Sequence, residues 1–143
     1  SEGLGWGRWV PVAIFVAANL VELGVKGVVA QPAPPAEFLR GPRLPGLGVA
    51  TAGAFPSGHM TRITIFLGLA TLRLVARTRR GAWLGLCVAA VWTVGYSRVY
   101  LGQHWPADVV GGIVLGGIGL ALSLALAPGG YAGGFPRVAA RDG

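Results

Sequence analysis

Charged residues are scarce in this sequence, at 12% of 143 residues, whereas soluble domains carry about 25%. A soluble domain of this length has a large surface to hydrate, so the shortage of charge argues against an ordinary cytosolic globule. The single cysteine, Cys87, excludes an internal disulfide and a cysteine-based zinc site. Hydrophobic residues make up 53% of the chain and the mean hydropathy is +0.62, which excludes intrinsic disorder. The length is that of one domain.

Four apolar stretches organise the sequence, and they cover about residues 9–30, 57–76, 82–98 and 105–127. A helix of about 20 residues crosses the ~30 Å hydrocarbon core of a bilayer, and these stretches approach or reach that length. None of them has a broad polar face, so a soluble helical bundle is the weaker alternative. We therefore predict an all-α fold, a polytopic transmembrane helix bundle with four spans.

The distribution of basic residues predicts the topology of these spans. The densest cluster, at residues 77–80, joins the second and third spans, and the positive-inside rule places it in the cytoplasm. Residues 1–127 then form a single membrane-embedded domain with an extracytoplasmic loop at 31–56, followed by a Gly-rich tail at 128–143. We attribute the formal net charge of +7 to basic residues that determine this topology and that contact anionic lipid headgroups. The sequence has no basic stripe with interleaved aromatic residues, so we expect no nucleic-acid partner.

Eight polar or small residues lie together at the predicted outer ends of the spans. Several of them are charged, and a charge within a membrane is costly and therefore indicates function. They are Lys26, Ser57, Gly58, His59, Arg62, Arg98, His104 and Asp108. Both histidines of the chain belong to this set. Histidine can transfer protons near neutral pH, and the arginines and the lysine can hold an anion.

The tetrapeptide Pro56-Ser57-Gly58-His59 lies at the start of the second span. Ser57 is a good N-cap, Gly58 permits close approach of the backbone to a ligand, and the free N–H groups at a helix start form an anion site. His59 follows in the first turn, where it can give or accept a proton. The alternative is a plain capped helix with an interfacial histidine.

A second polar motif, Ser97-Arg98 followed by His104 and Asp108, leads into the fourth span. His104 and Asp108 are four residues apart and share a face if the helix has begun, so the carboxylate can fix the imidazole tautomer. Arg98 offers a planar fork of donors that suits phosphate. The alternative is a helix-capping pair with Arg98 anchored at lipid headgroups. Two histidines and one aspartate make a poor metal site, so we expect no metal and no cofactor.

Together, the motifs P-S-G-H and S-R-x5-H-x3-D resemble the second and third signature motifs of the type 2 phosphatidic acid phosphatase superfamily, the lipid phosphate phosphatases. The family's first motif, K-x6-R-P, is matched by Lys26 and Pro34 but has Ala33 at the arginine position. Three arginines could supply the missing charge, namely Arg40, Arg43 and Arg62. We favour the last of these, because a helical side chain points toward the helix N-terminus. The family core usually has six spans, and this chain resembles the last four.

The resemblance implies a metal-independent hydrolysis of a lipid phosphate or lipid diphosphate. It implies that His104 attacks phosphorus to form a phosphohistidine, that Asp108 orients His104, and that His59 protonates the leaving oxygen and then activates water. The phosphate-binding residues are then Lys26, Ser57, Gly58 and Arg98, with Arg62 as the added cation. Undecaprenyl diphosphate, phosphatidylglycerol phosphate, phosphatidate and diacylglycerol diphosphate are all open as substrates.

Two other functions stay open from the sequence. A phosphotransferase of the same fold would use a lipid or sugar hydroxyl in place of water, and a non-catalytic membrane subunit would keep the fold alone.

Gly112 and Gly116 form a G-x-x-x-G stripe for close helix contact within the chain, or else with a homodimer partner or other membrane helices. Lys26 is the single lysine among 12 basic residues, which indicates a GC-rich bacterial genome and hence a plasma membrane, with the active site facing outward.

Overall fold

The computed structural model of the chain describes residues 6–40 and 53–126. Within these ranges it has four α-helices, which are α1 (Trp6–Val28), α2 (Gly58–Leu74), α3 (Arg80–Tyr100) and α4 (Pro106–Leu126). Two single-turn 3-10 helices lie in the connections, at Ala36–Phe38 and Arg77–Arg79. The prediction of an all-α bundle is confirmed, and each predicted stretch overlaps one helix. The predicted tail at 128–143 and part of the predicted loop lie outside the described residues, so the domain boundaries stay a prediction.

Three of the four helices are long and apolar enough to cross a membrane, at Trp9–Val28, Arg80–Tyr100 and Pro106–Leu126. Helix α2 has only 17 residues, or about 26 Å of helix, which is shorter than a hydrocarbon core of ~30 Å. It ends at Leu74 and carries two arginines within its length. The predicted count of four spans is therefore corrected to three among the described helices.

Helices α2 and α4 form the centre of the bundle, and each of them contacts all three other helices. They approach closely because α4 presents glycines toward α2. A methyl group on Gly112 would overlap the carbonyl oxygen of Ser57, and one on Gly116 would press against the carbonyl oxygen of Thr61. The glycine stripe thus serves helix packing within the chain, which is one of its two predicted uses.

Large apolar side chains cover the outer faces of the helices more than they fill the interior. Among the described residues, Met60 and Ile65 are large apolar side chains with no exposure at all. Leu20, Trp92 and Val114 are more than half exposed. Extended apolar surface of this kind is stable in contact with lipid, and together with the three long apolar helices it identifies a membrane protein.

The segment after α1 lies across the turn between α3 and α4. The indole Nε1 of Trp105 donates to the carbonyl oxygen of Pro32 at 3.0 Å, and the backbone N–H of Arg40 donates to the carbonyl oxygen of Leu101 at 3.1 Å. Gly102 has a φ of +68°, which suits glycine, and a side chain there would overlap the backbone of this segment. These contacts hold the segment over the residues that begin α4.

Candidate active site

His104 and Asp108 form a hydrogen-bonded pair at the start of α4. Asp108 is fully buried, and its Oδ2 lies 3.3 Å from Nδ1 of His104 and accepts the backbone N–H of Trp105 at 2.8 Å. The carboxylate is stable there because it lies in the first turn of α4, where free N–H groups and the helix dipole favour negative charge. With Nδ1 turned to Asp108, the Nε2 lone pair of a neutral His104 is available as a nucleophile or base.

The surroundings of His104 favour its neutral form. Burial lowers the pKa of His104 below its usual 6.5, and the positive charges of Lys26 and Arg98 lower this pKa further. The hydrogen bond and the negative charge of Asp108 oppose the shift without reversing it. His104 is therefore an uncharged imidazole at neutral pH, and both cations lie within electrostatic range of it.

The turn at residues 57–59 lies against the start of α4. Ser57 precedes α2, and its backbone N–H donates to the carbonyl oxygen of Asp108 at 2.9 Å. The Ser57 hydroxyl makes no capping hydrogen bond, so the expectation of a side-chain cap is wrong. Within the described part of the chain, the buried Oγ of Ser57 and Oδ1 of Asp108 have no hydrogen-bond partner. His59, in the first turn of α2, lies within electrostatic range of His104 and Arg98.

Lys26 belongs to a charge cluster between α1 and α2, in which Glu22 is buried and Arg62 is partly exposed. Its Nζ lies 2.7 Å from Oε1 of Glu22, which is one turn earlier in α1 and only 1% exposed. The other oxygen of Glu22, Oε2, accepts from Nη2 of Arg62 at 3.1 Å, and Nε of Arg62 donates to Oδ1 of Asn19 at 2.6 Å. Arg62, our first choice for an added phosphate ligand, is thus held by two acceptors on α1. A methyl group on Gly58 would overlap both carboxylate oxygens of Glu22.

Glu22 does not emerge as a site residue from the motifs, and neither does the bond between Asn19 and Arg62 beside it. The sequence offers one signal for Glu22, which is an acidic residue inside an apolar stretch and four residues before Lys26. That spacing predicts a pair within α1 alone, whereas the structure joins Arg62 of α2 to the same carboxylate. Asn19 carries no comparable signal.

Arg98 reaches the site from the last turn of α3. Its Nη1 donates to the side-chain oxygen of Gln103, and its carbonyl oxygen accepts the backbone N–H of Gln103 at 3.0 Å. The backbone N–H of His104 donates to the same carbonyl oxygen at 3.4 Å. Gln103 therefore holds the guanidinium at the turn that leads to His104, and the phosphate-binding role of Arg98 stays a prediction. Gln103, which does not emerge from the motif, is the residue that orients the guanidinium.

A cavity of about 460 Å³ opens beside His104, between the segment after α1 and the end of α3. Much of its wall consists of the aromatic rings of Phe38, Tyr96, Tyr100 and Trp105. Arg40 also lines this cavity, and its guanidinium carbon lies 4.7 Å from the centre of the Tyr100 ring. Arg40 therefore shares a cavity with His104, whereas Arg43 lies outside the described residues.

Three curated relatives are phosphatases by name. An undecaprenyl-diphosphatase of Sulfolobus acidocaldarius is 41% identical over 63 residues, which is 44% of this chain and 28% of the relative. A lipid A 1-phosphatase of Rhizobium etli is 37% identical over 73 residues, or 51% of this chain and 29% of the relative. A lipid A 4′-phosphatase of Bacteroides thetaiotaomicron is 36% identical over 66 residues, or 46% of this chain and 27% of the relative. This chain thus aligns with less than a third of each relative.

No solved structure matches the chain significantly. A match to a protein family covers much more of the sequence than the pairwise similarities do. The PAP2 superfamily matches residues 7–129, a range that contains all three motif regions and every residue of the site described above. The resemblance seen in the sequence motifs is therefore confirmed, and this chain belongs to the PAP2 superfamily.

Proposed function

We propose that this chain is an integral-membrane phosphatase of a lipid phosphate or lipid diphosphate that acts through a phosphohistidine. The observation that carries the proposal is the His104–Asp108 pair held against the turn at residues 57–59. This arrangement combines a neutral imidazole, a second histidine and two cations. The names of the relatives support the substrate class, since each denotes a phosphatase of a lipid-linked phosphate or diphosphate.

In the first step, Nε2 of His104 attacks phosphorus and the bond from phosphorus to the leaving oxygen breaks. The electron pair of that bond goes to the leaving oxygen, which takes a proton from His59 acting as a general acid. Asp108 keeps the proton on Nδ1 of His104 and stabilises the positive charge that the phosphorylated imidazole carries. The product of this step is the dephosphorylated lipid together with the phosphohistidine.

In the second step, a water molecule attacks the phosphohistidine and gives its proton to His59, which the first step left neutral. The bond from phosphorus to Nε2 breaks and its electron pair returns to His104. Inorganic phosphate leaves and both histidines regain their starting states, so His59 serves as acid and then as base. Every proton in this cycle is held by a protein side chain or by water, which is consistent with metal-independent hydrolysis.

Four groups bind the phosphate oxygens in this proposal. Lys26 and Arg98 supply positive charge, and the Ser57 hydroxyl and the Gly58 N–H supply neutral donors at the start of α2. The buried, unpartnered Oγ of Ser57 supports this role, because a buried hydroxyl is stable when a ligand accepts its hydrogen bond. We assign Arg62 to Glu22 rather than to phosphate, because its Nε and Nη2 already bind acceptors on α1.

The test is phosphate release by the full chain in proteoliposomes, with undecaprenyl diphosphate, phosphatidate, phosphatidylglycerol phosphate and lipid A as substrates. We expect release from at least one of them, inhibition by vanadate, and no release by His104→Ala. Thr93→Ala is the matched control, because its hydroxyl only donates to the carbonyl oxygen of Ala89 within α3, away from the site. Transfer of phosphate to an added lipid alcohol instead of water would indicate the phosphotransferase, and no turnover of any substrate would indicate a non-catalytic subunit.

A further inference from the structure

We infer that Glu22 is a positioning residue of the active site, which holds the Lys26 ammonium next to the turn at residues 57–59 and fixes the start of α2 against α1. The inference rests on the proposed function and extends it. Glu22 belongs to none of the three motifs and donates nothing to a phosphate, so its contribution is made through the groups that it binds.

The first reason is the burial of Glu22 within an apolar helix. A carboxylate in this environment is stable only when cations and hydrogen bonds compensate its charge. Both of its oxygens are used in this way, with Oε1 at 2.7 Å from Nζ of Lys26 and Oε2 at 3.1 Å from Nη2 of Arg62. The negative charge of Glu22 thus binds the positive charges of Lys26 and Arg62, and the three side chains together carry a net charge of +1.

The second reason is the effect on Lys26. A lysine side chain is flexible, so an unpaired ammonium would sample many positions and lose entropy on binding phosphate. The bond to Glu22 restricts it to a position where its charge acts on His104. An ammonium has three donors, so two remain for phosphate oxygens after one binds Glu22.

The third reason is the contact of Glu22 with the start of α2. Its carboxylate lies so close to Gly58 that a single methyl group there would overlap both oxygens. Gly58 lies between Ser57 and His59, so the carboxylate is in contact with the backbone that carries these two residues. Arg62 adds a second link between the helices, because it binds both Glu22 and Asn19 of α1.

The test compares Glu22→Ala with the matched variant Asn19→Ala in the full chain. Asn19→Ala removes an acceptor of Arg62 and leaves the bond from Glu22 to Lys26 intact. We expect Glu22→Ala to raise KM and the inhibition constant of vanadate by roughly tenfold to a hundredfold, as for a lost hydrogen bond between charged groups, with a smaller change in kcat. We expect Asn19→Ala to change both constants by less than about threefold, since Lys26 keeps its partner.

A double-mutant cycle tests whether Glu22 acts through Lys26. In a Lys26→Met background, Glu22→Ala should change the vanadate constant by clearly less than it does in the wild type, because the positioned ammonium is gone and only the contact with the start of α2 is lost. Glu22→Gln keeps the shape and one hydrogen-bond acceptor, so it should fold and still raise the constant by roughly tenfold. Thermal unfolding and helix content are measured for each variant to identify one that has lost its fold. If Glu22→Ala does not fold, the result for Glu22→Gln replaces it.

Three outcomes overturn the inference while leaving the proposed function intact. They are unchanged constants in a folded Glu22→Gln variant, tighter vanadate inhibition in either Glu22 variant, and an undiminished effect of Glu22→Ala in the Lys26→Met background. A wild-type chain that neither releases phosphate nor responds to vanadate would instead contradict the proposed function itself.

Discussion

The backbone N–H of Ser57 donates a hydrogen bond to the carbonyl oxygen of Asp108, with 2.9 Å between the nitrogen and the oxygen. This bond joins the start of α2 to the start of α4. Gly112, one turn further along α4, adds to the contact because any side chain there would overlap the Ser57 carbonyl oxygen. The relative position of His59 and His104 is thus maintained by backbone contacts between two helices, which resist single side-chain changes.

Replacing each histidine should separate the two roles that we propose for them. His104→Ala should abolish both turnover and the acid-labile phosphoenzyme, because the nucleophile is gone. His59→Ala should slow turnover by roughly 10²–10⁴-fold, and by less for an ester with a good leaving group, because general acid help matters less there. Rapid-quench trapping of labelled phosphoenzyme with phenyl and nitrophenyl esters measures both effects. Equal losses on good and poor leaving groups would contradict the assignment of His59.

The parts of the fold that the sequence predicts best are those that depend on local patterns. The long uncharged run of α4 and the four-residue spacing of His104 and Asp108 need no knowledge of neighbouring helices. The 57–76 stretch is predicted as a span from its composition, but the helix ends early at Leu74 and carries arginines within its length. The Ser57 hydroxyl is predicted as a cap, but the start of α2 is bonded to α4 through the backbone instead.

The charge cluster around Glu22 lies beyond what the sequence alone predicts. Its pairing with Lys26 follows from i,i+4 spacing, but its pairing with Arg62 depends on how α1 and α2 rotate against each other. Arg62 does project from the first turns of α2, yet the acceptors on α1 determine where its guanidinium binds. The cavity beside His104 likewise depends on the segment after α1, which no periodic pattern describes.

The pH dependence of kcat/KM should reflect the lowered pKa of His104. In the proposed mechanism His104 attacks as a neutral imidazole, and burial lowers its pKa, so the acid limb of the profile should lie below pH 6.5. His59 must carry a proton to act as the general acid, and burial and the charge of Arg98 lower its pKa as well, so kcat/KM should fall on the alkaline side as His59 loses that proton. Asp108→Asn removes the negative charge that raises the pKa of His104 and weakens the hydrogen bond to Nδ1, while burial and the nearby cations remain. The acid limb should therefore move to still lower pH, and the plateau should fall by roughly 10²–10⁴-fold because the ring is no longer oriented. Movement of this limb to higher pH would be incompatible with the arrangement.

Two adjacent glycines of α4 should differ in their tolerance of alanine. A methyl group at Gly116 would press against the carbonyl oxygen of Thr61 and the side chain of Thr64, so Gly116→Ala should reduce the free energy of unfolding by roughly 1–3 kcal/mol. Gly117 has open space around it, so Gly117→Ala should be neutral or should stabilise the helix by up to about 1 kcal/mol. Thermal unfolding in detergent compares them. Equal shifts in Tm would contradict the close contact of α2 and α4.

The orientation predicted from the basic cluster can be tested by cysteine labelling of intact cells. The background is Cys87→Ser, in which a hydroxyl replaces the thiol that contacts the Thr71 hydroxyl. A membrane-impermeant maleimide should label Gly46→Cys, in the predicted outer loop, and should leave Thr78→Cys unlabelled until the cells are permeabilised. Gly46 lies outside the described residues, so this prediction depends on the sequence alone. The opposite labelling pattern would place the active site in the cytoplasm.

The third cation of the site should be Arg40 rather than Arg62. Arg62 is bound by Glu22 and Asn19, whereas Arg40 lines the cavity beside His104 and rests on the ring of Tyr100. Arg40→Ala should therefore raise KM by roughly tenfold or more, with a greater effect on a diphosphate, whose negative charge is larger. Arg40→Lys, which keeps the charge, should recover part of the loss, and Arg62→Ala should have a smaller effect. If Arg62→Ala is damaging and Arg40→Ala is silent, the choice made from the sequence stands; if both are silent, Lys26 and Arg98 suffice.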